Sequence, residues 1–366
     1  MINSKDLIRS LNRPAPDNSS RARQYRFDRN ERTTLFTEEE FKNMMSQLTP
    51  YDFVAYGELE PFYYKTAKWL QVERDNILLT SGSDMGIRSI FETYINKGDR
   101  VLISLPNYAM FSVYNKMFGG VEQVQWYEDD LTMNVNNLLD NMKADIKLLV
   151  ISNPGHTGTI ISETDLIRIV EKAQSLNMLV LIDEAYHHFY QGTMIGFINL
   201  YKNLIISRTF SKAFGLASLR VGVLLACKEI IDELYRVKLV HEITGVAAKI
   251  GSFMLDNLHI VDNYVHEVNK GKDVLYNRLP TLGIQVFDSD SNFVFFQLPK
   301  DVSVAVLLEY LGEIEIYIKG PFTNKPFTGQ LRITVGDTMQ MNLFCDELEK
   351  FLKMNSLLTL KSCENE

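Results

Sequence analysis

The sequence has few cysteines and no long hydrophobic run, and both absences exclude classes of protein. Cys227, Cys345 and Cys363 form no CxxC pair and no metal-ligand spacing, and an odd number of cysteines in a chain of 366 residues is not typical of a disulfide framework. No run reaches the roughly 18 apolar residues that span a bilayer, and the N-terminus lacks the apolar core of a signal peptide. We therefore expect a cytoplasmic protein without a membrane partner or a metal site.

Positive charge is also scarce. The chain carries 38 Lys and Arg against 46 Asp and Glu, a formal net charge of -8. This balance argues against nucleic acid as the main partner. With 46% hydrophobic and 23% charged residues, the composition is that of a globular protein with a large core, so small molecules are the expected ligands.

Short apolar runs alternate with helical patterns from Asn76 to Cys227. Continuous apolar runs between helices are typical of strands that are buried on both faces, so we predict an α/β fold with a mostly parallel, helix-covered sheet. The segment after Cys227 predicts a long connecting helix that leads to a smaller α+β domain. The predicted divisions are 1–40 (an N-terminal arm and part of the small domain), 41–260 (the large domain) and 261–366 (the small domain).

Polar residues at the predicted strand ends indicate an anion site. The segment "SGSDMGI" lies between a strand and a helix, where backbone N–H groups and the helix dipole favour phosphate or carboxylate, although it could equally be an ordinary turn. Thr209, Ser211 and Arg220 would add hydroxyl donors and a guanidinium to the same edge of the sheet.

The run "LVLIDEAY" places Asp183 at the end of a very apolar strand, where a carboxylate needs a cationic partner. A pyridinium N–H is one such partner, whereas a helix cap would be the structural alternative. Lys212 lies among small and apolar residues, where a lysine of lowered pKa can form a Schiff base with an aldehyde. Pyridoxal 5'-phosphate requires this set of groups, with Tyr186 as a hydroxyl donor and Tyr108 as a stacking ring.

Five segments together resemble the fold-type I pyridoxal-phosphate aminotransferases, and most closely the histidinol-phosphate aminotransferase group. The resemblance extends from about Asn30 to Leu352. It is carried by "NILLTSGSDMGI", "PNYAMF", "LIDEAYHHF", "RTFSKAFGLASLRVG" and "LRITVG".

The resemblance implies a role for each matching residue. Lys212 matches the Schiff-base lysine, Asp183 the partner of the pyridine nitrogen, and Tyr186 the hydroxyl near the phenolic oxygen. Arg332 matches the arginine that holds a substrate carboxylate or phosphate, and Asn30 an asparagine beside the substrate. The residues that correspond to the phosphate site are Ser83 and Asp84, which donate backbone N–H groups, with Thr209, Ser211 and Arg220.

The resemblance also implies a homodimer, because Tyr56 occupies the place of a tyrosine that reaches the phosphate of the other subunit. Two departures from the family pattern matter, one beside the cofactor and one in the substrate-facing loops. "NPGHTGT" is one residue shorter than the usual NPxNPTG, so either Asn153 or His156 would contact the cofactor's ring oxygen, and we favour Asn153. "RNERTT" and "YGELEPF" lack prolines that the family carries.

These observations predict an aminotransferase that transfers an amino group to a small phosphorylated carbonyl compound, such as imidazoleacetol phosphate. Glutamate is the natural donor. The alternative on the same scaffold is a decarboxylase of threonine phosphate or serine phosphate. A catalytically silent binding module is disfavoured because Lys212, Asp183, Tyr186 and Arg220 are all present. We expect the adjacent His187 and His188 to point to different sides, so a shared metal ion is not expected.

Overall fold

The computed structural model describes residues 6–11 and 24–363, with side chains up to residue 354. Residues 1–5 and 12–23 of the predicted N-terminal arm lie outside the described residues. The strands are β1 (Tyr25–Phe27), β2 (Ile77–Ser81), β3 (Arg100–Leu105), β4 (Val121–Trp126), β5 (Ile146–Ser152), β6 (Leu179–Asp183), β7 (Leu204–Thr209), β8 (Val221–Ala226), β9 (Gln285–Val286), β10 (Phe293–Gln297), β11 (Ile316–Ile318) and β12 (Leu331–Thr334).

The helices are α1 (Asp6–Arg9), α2 (Glu38–Met45), α3 (Tyr51–Val54), α4 (Glu60–Leu70), α5 (Gly82–Tyr94), α6 (Met110–Phe118), α7 (Val135–Asn141), α8 (Glu163–Ser175), α9 (Lys228–Tyr235), α10 (Gly245–Asp256), α11 (His259–Arg278), α12 (Val304–Glu313) and α13 (Thr338–Cys363). In the described part of the chain, no helix is long and apolar enough to cross a membrane.

A seven-stranded sheet forms the centre of the molecule, in the order β2-β8-β7-β6-β5-β3-β4. Strand β8 runs antiparallel to both of its neighbours, and the other four pairs are parallel, which confirms the predicted mostly parallel sheet. Successive residues of a strand point to opposite faces of the sheet, and each face packs against its own apolar cluster: Leu181 of β6 belongs to one cluster and Ile182 to the other. Both faces are therefore covered, which explains the uninterrupted apolar runs.

The parallel strands β5, β6 and β7 bring their carboxyl ends to one edge of the sheet. Ser152 pairs with Asp183, and Asp183 pairs with Ser207. Gly222 near the start of β8 lies opposite Thr209 on one side and Thr80 on the other. The end of β2, the end of β7 and the start of β8 therefore meet where α5 begins, and ligands of open α/β sheets bind at such an edge.

The C-terminal part of the chain forms two smaller sheets. Strand β10 lies between β9 and β12 and is antiparallel to both. Strand β1 pairs in parallel with β11, so residues near the N-terminus join the C-terminal structure. The divisions at 40/41 and 260/261 stay predictions.

The predicted single connecting helix after Cys227 is wrong, because the segment contains the three helices α9, α10 and α11. The chain leaves α9 after Tyr235 and carries Glu242 to the sheet, where its carboxylate accepts a hydrogen bond from the Ser81 N–H at 2.6 Å. Thr244 then caps the start of α10. These two side chain–backbone contacts, of Glu242 and Thr244, replace helical hydrogen bonds and so interrupt the helix between α9 and α10.

Candidate active site

Asp183 ends β6 as a buried carboxylate that lacks a matched cation. Its Oδ1 is fully buried and has no hydrogen-bond partner in the described part of the protein. Burial raises the pKa of Asp183 to about 7, against the opposite effects of the Ser207 hydroxyl and the Lys212 charge. Because a buried carboxylate oxygen without a partner is costly, this position suits a ligand that presents a positively charged N–H.

Lys212 follows β7 and lies in the same space. Its Nζ donates a hydrogen bond to the Arg29 carbonyl at 3.2 Å and lies 5.8 Å from the ring centre of Tyr186. Burial and the nearby Arg332 guanidinium lower the pKa of Lys212 to about 8, although Asp183 acts in the opposite direction. A substantial fraction of this amine is therefore neutral, and nucleophilic, in mildly alkaline solution.

The start of α5 and the segment from Thr209 to Arg220 form a cradle for an anion. Arg220 packs so closely on Gly82 that a Cβ built at Gly82 would come within 2.4 Å of the guanidinium. The guanidinium also donates to the Ser211 hydroxyl at 3.3 Å, and the Thr209 hydroxyl accepts from the Ser211 N–H. The first backbone N–H groups of a helix have no intrahelical acceptor, so this cradle suits a phosphate.

Gly82 and Gly222 are required by this packing. Gly82 has a φ of +73°, and a Cβ at Gly222 would lie 2.2 Å from the Ser83 N atom. The absence of side chains at both positions therefore keeps the backbone of Ser83 and Asp84 close to Arg220.

The loop after β5 holds Asn153 and His156 in different ways. The Asn153 amide is bound to Ile161: its Oδ1 accepts from the Ile161 N–H at 2.8 Å, and its Nδ2 donates to the Ile161 carbonyl at 3.2 Å. The Nδ1 of His156, in contrast, is buried without a hydrogen-bond partner among the described residues. The predicted contact of Asn153 with a cofactor stays a prediction.

Tyr108 and Tyr186 flank His156. The His156 ring lies 6.2 Å from the Tyr108 ring at an interplanar angle of 21°, and 5.9 Å from the Tyr186 ring at 74°. The Tyr108 hydroxyl donates to the Asp84 carboxylate at 3.1 Å. The Tyr186 hydroxyl accepts from the Asn30 amide at 2.9 Å and can still donate to a ligand.

Asn30 and Arg332 close the site from the C-terminal sheet. Asn30 is buried with a φ of +56°, and its amide oxygen and its backbone N–H both bind the Thr334 hydroxyl. The Arg332 guanidinium lies 5.2 Å from the Phe293 ring and donates to the Asp28 carbonyl, but its Nε has no partner in the described structure. Thr334, two residues after Arg332 on β12, was missed by sequence reasoning; its place in "LRIT" beside Arg332 was the available signal.

Tyr56 lies apart from this cluster on an exposed surface. Its ring stacks on His241 with the ring centres 3.7 Å apart, and 77% of the side chain is exposed. The prediction that it contacts a cofactor across a subunit boundary is not tested by a single chain.

The expectation for the adjacent histidines is wrong. The rings of His187 and His188 do not diverge but lie 3.9 Å apart, because a 3-10 turn places both beside Trp69. Burial lowers the pKa of each imidazole, to about 3 for His188.

The residues at the sheet edge fit pyridoxal phosphate group by group. The orphaned Asp183 oxygen matches a pyridinium N–H, the amine of Lys212 matches an aldehyde, and the cradle around Gly82 matches a phosphate.

Comparison with known proteins agrees with this chemistry. Residues 24–348 match the aminotransferase class I and II family. A histidinol-phosphate aminotransferase of Caldanaerobacter subterraneus subsp. tengcongensis is 32% identical over 90% of this chain and 93% of its own length. One of Sulfurisphaera tokodaii is 36% identical over 78% of this chain and 77% of its own length.

A solved structure supports the fold. The histidinol-phosphate aminotransferase of Sinorhizobium meliloti in complex with pyridoxal-5'-phosphate has a TM-score of 0.85 and 22% identity, covering 97% of this chain and 98% of that one. The chain belongs to the aminotransferase class I and II family, in its histidinol-phosphate aminotransferase group, and is a pyridoxal-phosphate-dependent aminotransferase.

Proposed function

We propose that the enzyme transfers an amino group between glutamate and a small phosphorylated carbonyl compound, with imidazoleacetol phosphate as the first candidate. The observation that carries the proposal is the Arg332 guanidinium, which lies near Lys212 with a buried, unpartnered Nε. A fixed guanidinium with free donors suits a carboxylate or phosphate of the substrate. The histidinol-phosphate aminotransferase relatives supply the candidate.

Pyridoxal phosphate, when bound, supplies the electron sink for cleavage of a bond at the substrate's α-carbon. Lys212 would hold it at the aldehyde and Asp183 at the pyridine nitrogen. Ser83 and Asp84 would donate backbone N–H groups to its phosphate, together with Thr209, Ser211 and Arg220.

Asp183 keeps a negative charge against the ring nitrogen of the cofactor. Since burial raises its pKa to about 7, the carboxylate is ionised at low cost only when a cation faces it. The carboxylate would therefore keep the pyridine nitrogen protonated, which would leave a positive charge on the ring.

Lys212 moves the proton that transamination requires. Its lowered pKa, about 8, lies close to neutral pH, where a general base both accepts and returns a proton efficiently. The Nζ of Lys212 would take a proton from the substrate's α-carbon and deliver it, on the same side of the site, to the former aldehyde carbon of the cofactor.

Arg332, Asn30 and Tyr186 orient the substrate in this account. Arg332 binds the anionic group through the donors that the Asp28 carbonyl leaves free. The Asn30 amide N–H donates to the Tyr186 hydroxyl oxygen. Because that oxygen accepts from Asn30, its own hydrogen is directed toward the ligand.

The proposal includes a homodimer and a cytoplasmic location. Exposed aromatic and aliphatic side chains cluster around Tyr56, and a second subunit could bury them. In such a dimer, Tyr56 of each subunit would reach the phosphate site of the other. Cys227 and Cys345 are buried free thiols, which suits a reducing compartment.

The test is a half-reaction followed by an acceptor screen. The protein with bound cofactor is mixed with glutamate, and the visible absorption and released 2-oxoglutarate are followed. We expect loss of the visible band with one equivalent of 2-oxoglutarate per site, and recovery of the band when imidazoleacetol phosphate is added.

Recovery with non-phosphorylated keto acids but not with phosphorylated ones would contradict the proposed substrate class. Release of carbon dioxide from threonine phosphate or serine phosphate, without a keto product, would instead support the decarboxylase alternative.

A further inference from the structure

His156 is the one imidazole in the candidate site, and the roles assigned above do not use it. It lies between Tyr108 and Tyr186, and the Lys212 and Arg332 charges both act on it. Its Nδ1 has no hydrogen-bond partner in the described residues, so the ring is not part of an internal polar network. A buried polar ring without a partner is costly unless a ligand supplies one.

The loop that carries His156 is held in place by hydrogen bonds at its start. The Asn153 backbone N–H donates to the Asp183 carbonyl at 2.9 Å, and the Asn153 amide holds Ile161 through two hydrogen bonds. A Cβ at Gly155 would lie 2.8 Å from the Tyr127 hydroxyl, so a larger residue there would have to displace Tyr127. The imidazole is therefore presented to the site from a fixed backbone position beside Asp183.

The His156 ring is neutral in this position. Burial, together with the positive charges of Arg332 and Lys212, lowers its pKa to about 3. A neutral imidazole carries one N–H donor and one acceptor nitrogen, so it can donate a hydrogen bond without adding a positive charge.

We propose that His156, rather than Asn153, donates a hydrogen bond to the phenolic oxygen of pyridoxal phosphate. The inference rests on the proposed attachment of the cofactor to Lys212. Two observations carry it: the Asn153 amide is already bound to Ile161, whereas the imidazole lies free among the residues that would surround the cofactor ring. The shortened "NPGHTGT" loop thus supplies an imidazole where the family motif has an amide.

A hydrogen bond to the phenolic oxygen stabilises its ionised form, and therefore lowers the pH at which the Lys212-bound cofactor loses its proton. The substrate-free protein with bound cofactor is titrated by visible absorption as wild type, His156→Phe and His156→Asn. Phenylalanine keeps an aromatic ring between Tyr108 and Tyr186 but has no donor, whereas asparagine restores an N–H donor.

We expect the midpoint to rise by about one pH unit in His156→Phe, the size of one hydrogen bond to a charged group, and to return toward the wild-type value in His156→Asn. His188→Phe is the matched control, since it removes another imidazole of low pKa outside the site, and its midpoint should equal that of wild type.

Equal midpoints in wild type, His156→Phe and His156→Asn would overturn the inference. If His156→Phe does not fold, His156→Gln and His156→Leu provide the same comparison of donor and non-donor. A wild-type protein that shows no titratable visible band would instead contradict the attachment to Lys212, and the inference would fall with it.

Discussion

At the scale of single residues, the charge on Asp183 is the main electrostatic element of the site. Asp183→Asn keeps the side-chain volume but removes the charge that faces the cofactor nitrogen. We expect the rate of the glutamate half-reaction to fall by about 100-fold or more, because fixed charges aimed at developing charge are worth this much. Stopped-flow absorption measures the rate.

Ser207→Ala is the matched control for Asp183. Ser207 pairs with Asp183 in the sheet, and its hydroxyl lowers the pKa of that carboxylate, so Ser207→Ala changes a neighbouring group but leaves the negative charge in place. A rate in Asp183→Asn no lower than that of Ser207→Ala would contradict the role of the carboxylate.

Arg332 binds rather than reacts in this account. Arg332→Gln removes the charge that receives the substrate anion, so KM should rise roughly 10- to 100-fold, since a hydrogen bond to a charged group contributes about 1.5–3 kcal/mol. Steady-state kinetics with glutamate and with the phosphorylated acceptor separates KM from kcat. An unchanged KM for both substrates would exclude the anion clamp.

Residues at strand ends were predictable from the sequence, whereas their partners were not. Asp183 and Lys212 were found because each is an ionisable group in an apolar segment. The hydrogen bonds of Asn153 to Ile161 and the contact between His187 and His188 depend on local turns that spacing alone does not determine. The contact of Thr334 with Asn30 joins residues 304 positions apart, which spacing along the chain does not determine either.

At the scale of elements, the junction of β2 and α5 determines whether the phosphate cradle can form. Gly82→Ala places a methyl group against the Arg220 guanidinium at a position with positive φ. We expect the dissociation constant for pyridoxal phosphate to rise by about tenfold, the loss of roughly one charge-assisted hydrogen bond, as measured by fluorescence titration of the apoprotein.

Gly283→Ala is the control for this variant. Gly283 has nearly the same φ, +72°, but a Cβ there has no neighbour within 4 Å. Both variants should lose about 1–2 kcal/mol of unfolding free energy from backbone strain. Equal cofactor affinities in the two variants would contradict a cradle formed by Gly82 and Arg220.

Buried strands were predictable, including β2 at one edge of the sheet, whereas the exposed strand at the other edge was missed. Strand β4 at the edge of the sheet carries "VEQVQW", and much of it is exposed, so no continuous apolar run marks it. The interruption between α9 and α10 also went unpredicted, because the contact of Glu242 with Ser81 joins residues far apart in the chain.

At the scale of the whole molecule, buried neutral histidines predict a loss of stability in acid. His156, His187 and His188 all have lowered pKa values, about 3 for His156 and His188. Below their unfolded pKa of about 6.5 the unfolded chain binds protons that the folded chain does not, so stability is complete above this pH and falls as the pH decreases.

The effect of one histidine can be isolated. Between pH 6.5 and pH 5, His156 and His188 should each contribute a loss of about 2 kcal/mol, measured in urea unfolding of the apoprotein. His188→Gln should lose less stability over this interval than wild type. The raised pKa of Asp183 makes the folded protein more stable as the pH falls, which opposes the effect of the histidines. The test therefore compares the pH dependence of wild type with that of His188→Gln. Parallel profiles of unfolding free energy against pH would refute the prediction.

The surface around Tyr56 predicts the oligomeric state. It consists of Tyr51, Phe53, Val54, Tyr56 and Tyr64, each 63% to 83% exposed in the single chain. Val54→Asp should convert a dimer to monomers in sedimentation velocity, because a charge cannot be buried there without a partner. Val306→Asp, on the exposed side of α12, is the control and should remain dimeric. A monomeric wild type would contradict the proposed dimer.

Amino transfer between a phosphorylated substrate and a keto acid is the central claim. It is tested most directly by incubating the purified enzyme with histidinol phosphate and 2-oxoglutarate and measuring the glutamate formed, with Lys212→Ala as the inactive control. We predict glutamate and the phosphorylated ketone in equal amounts. No glutamate from histidinol phosphate, with carbon dioxide released from threonine phosphate by the same preparation, would contradict the account.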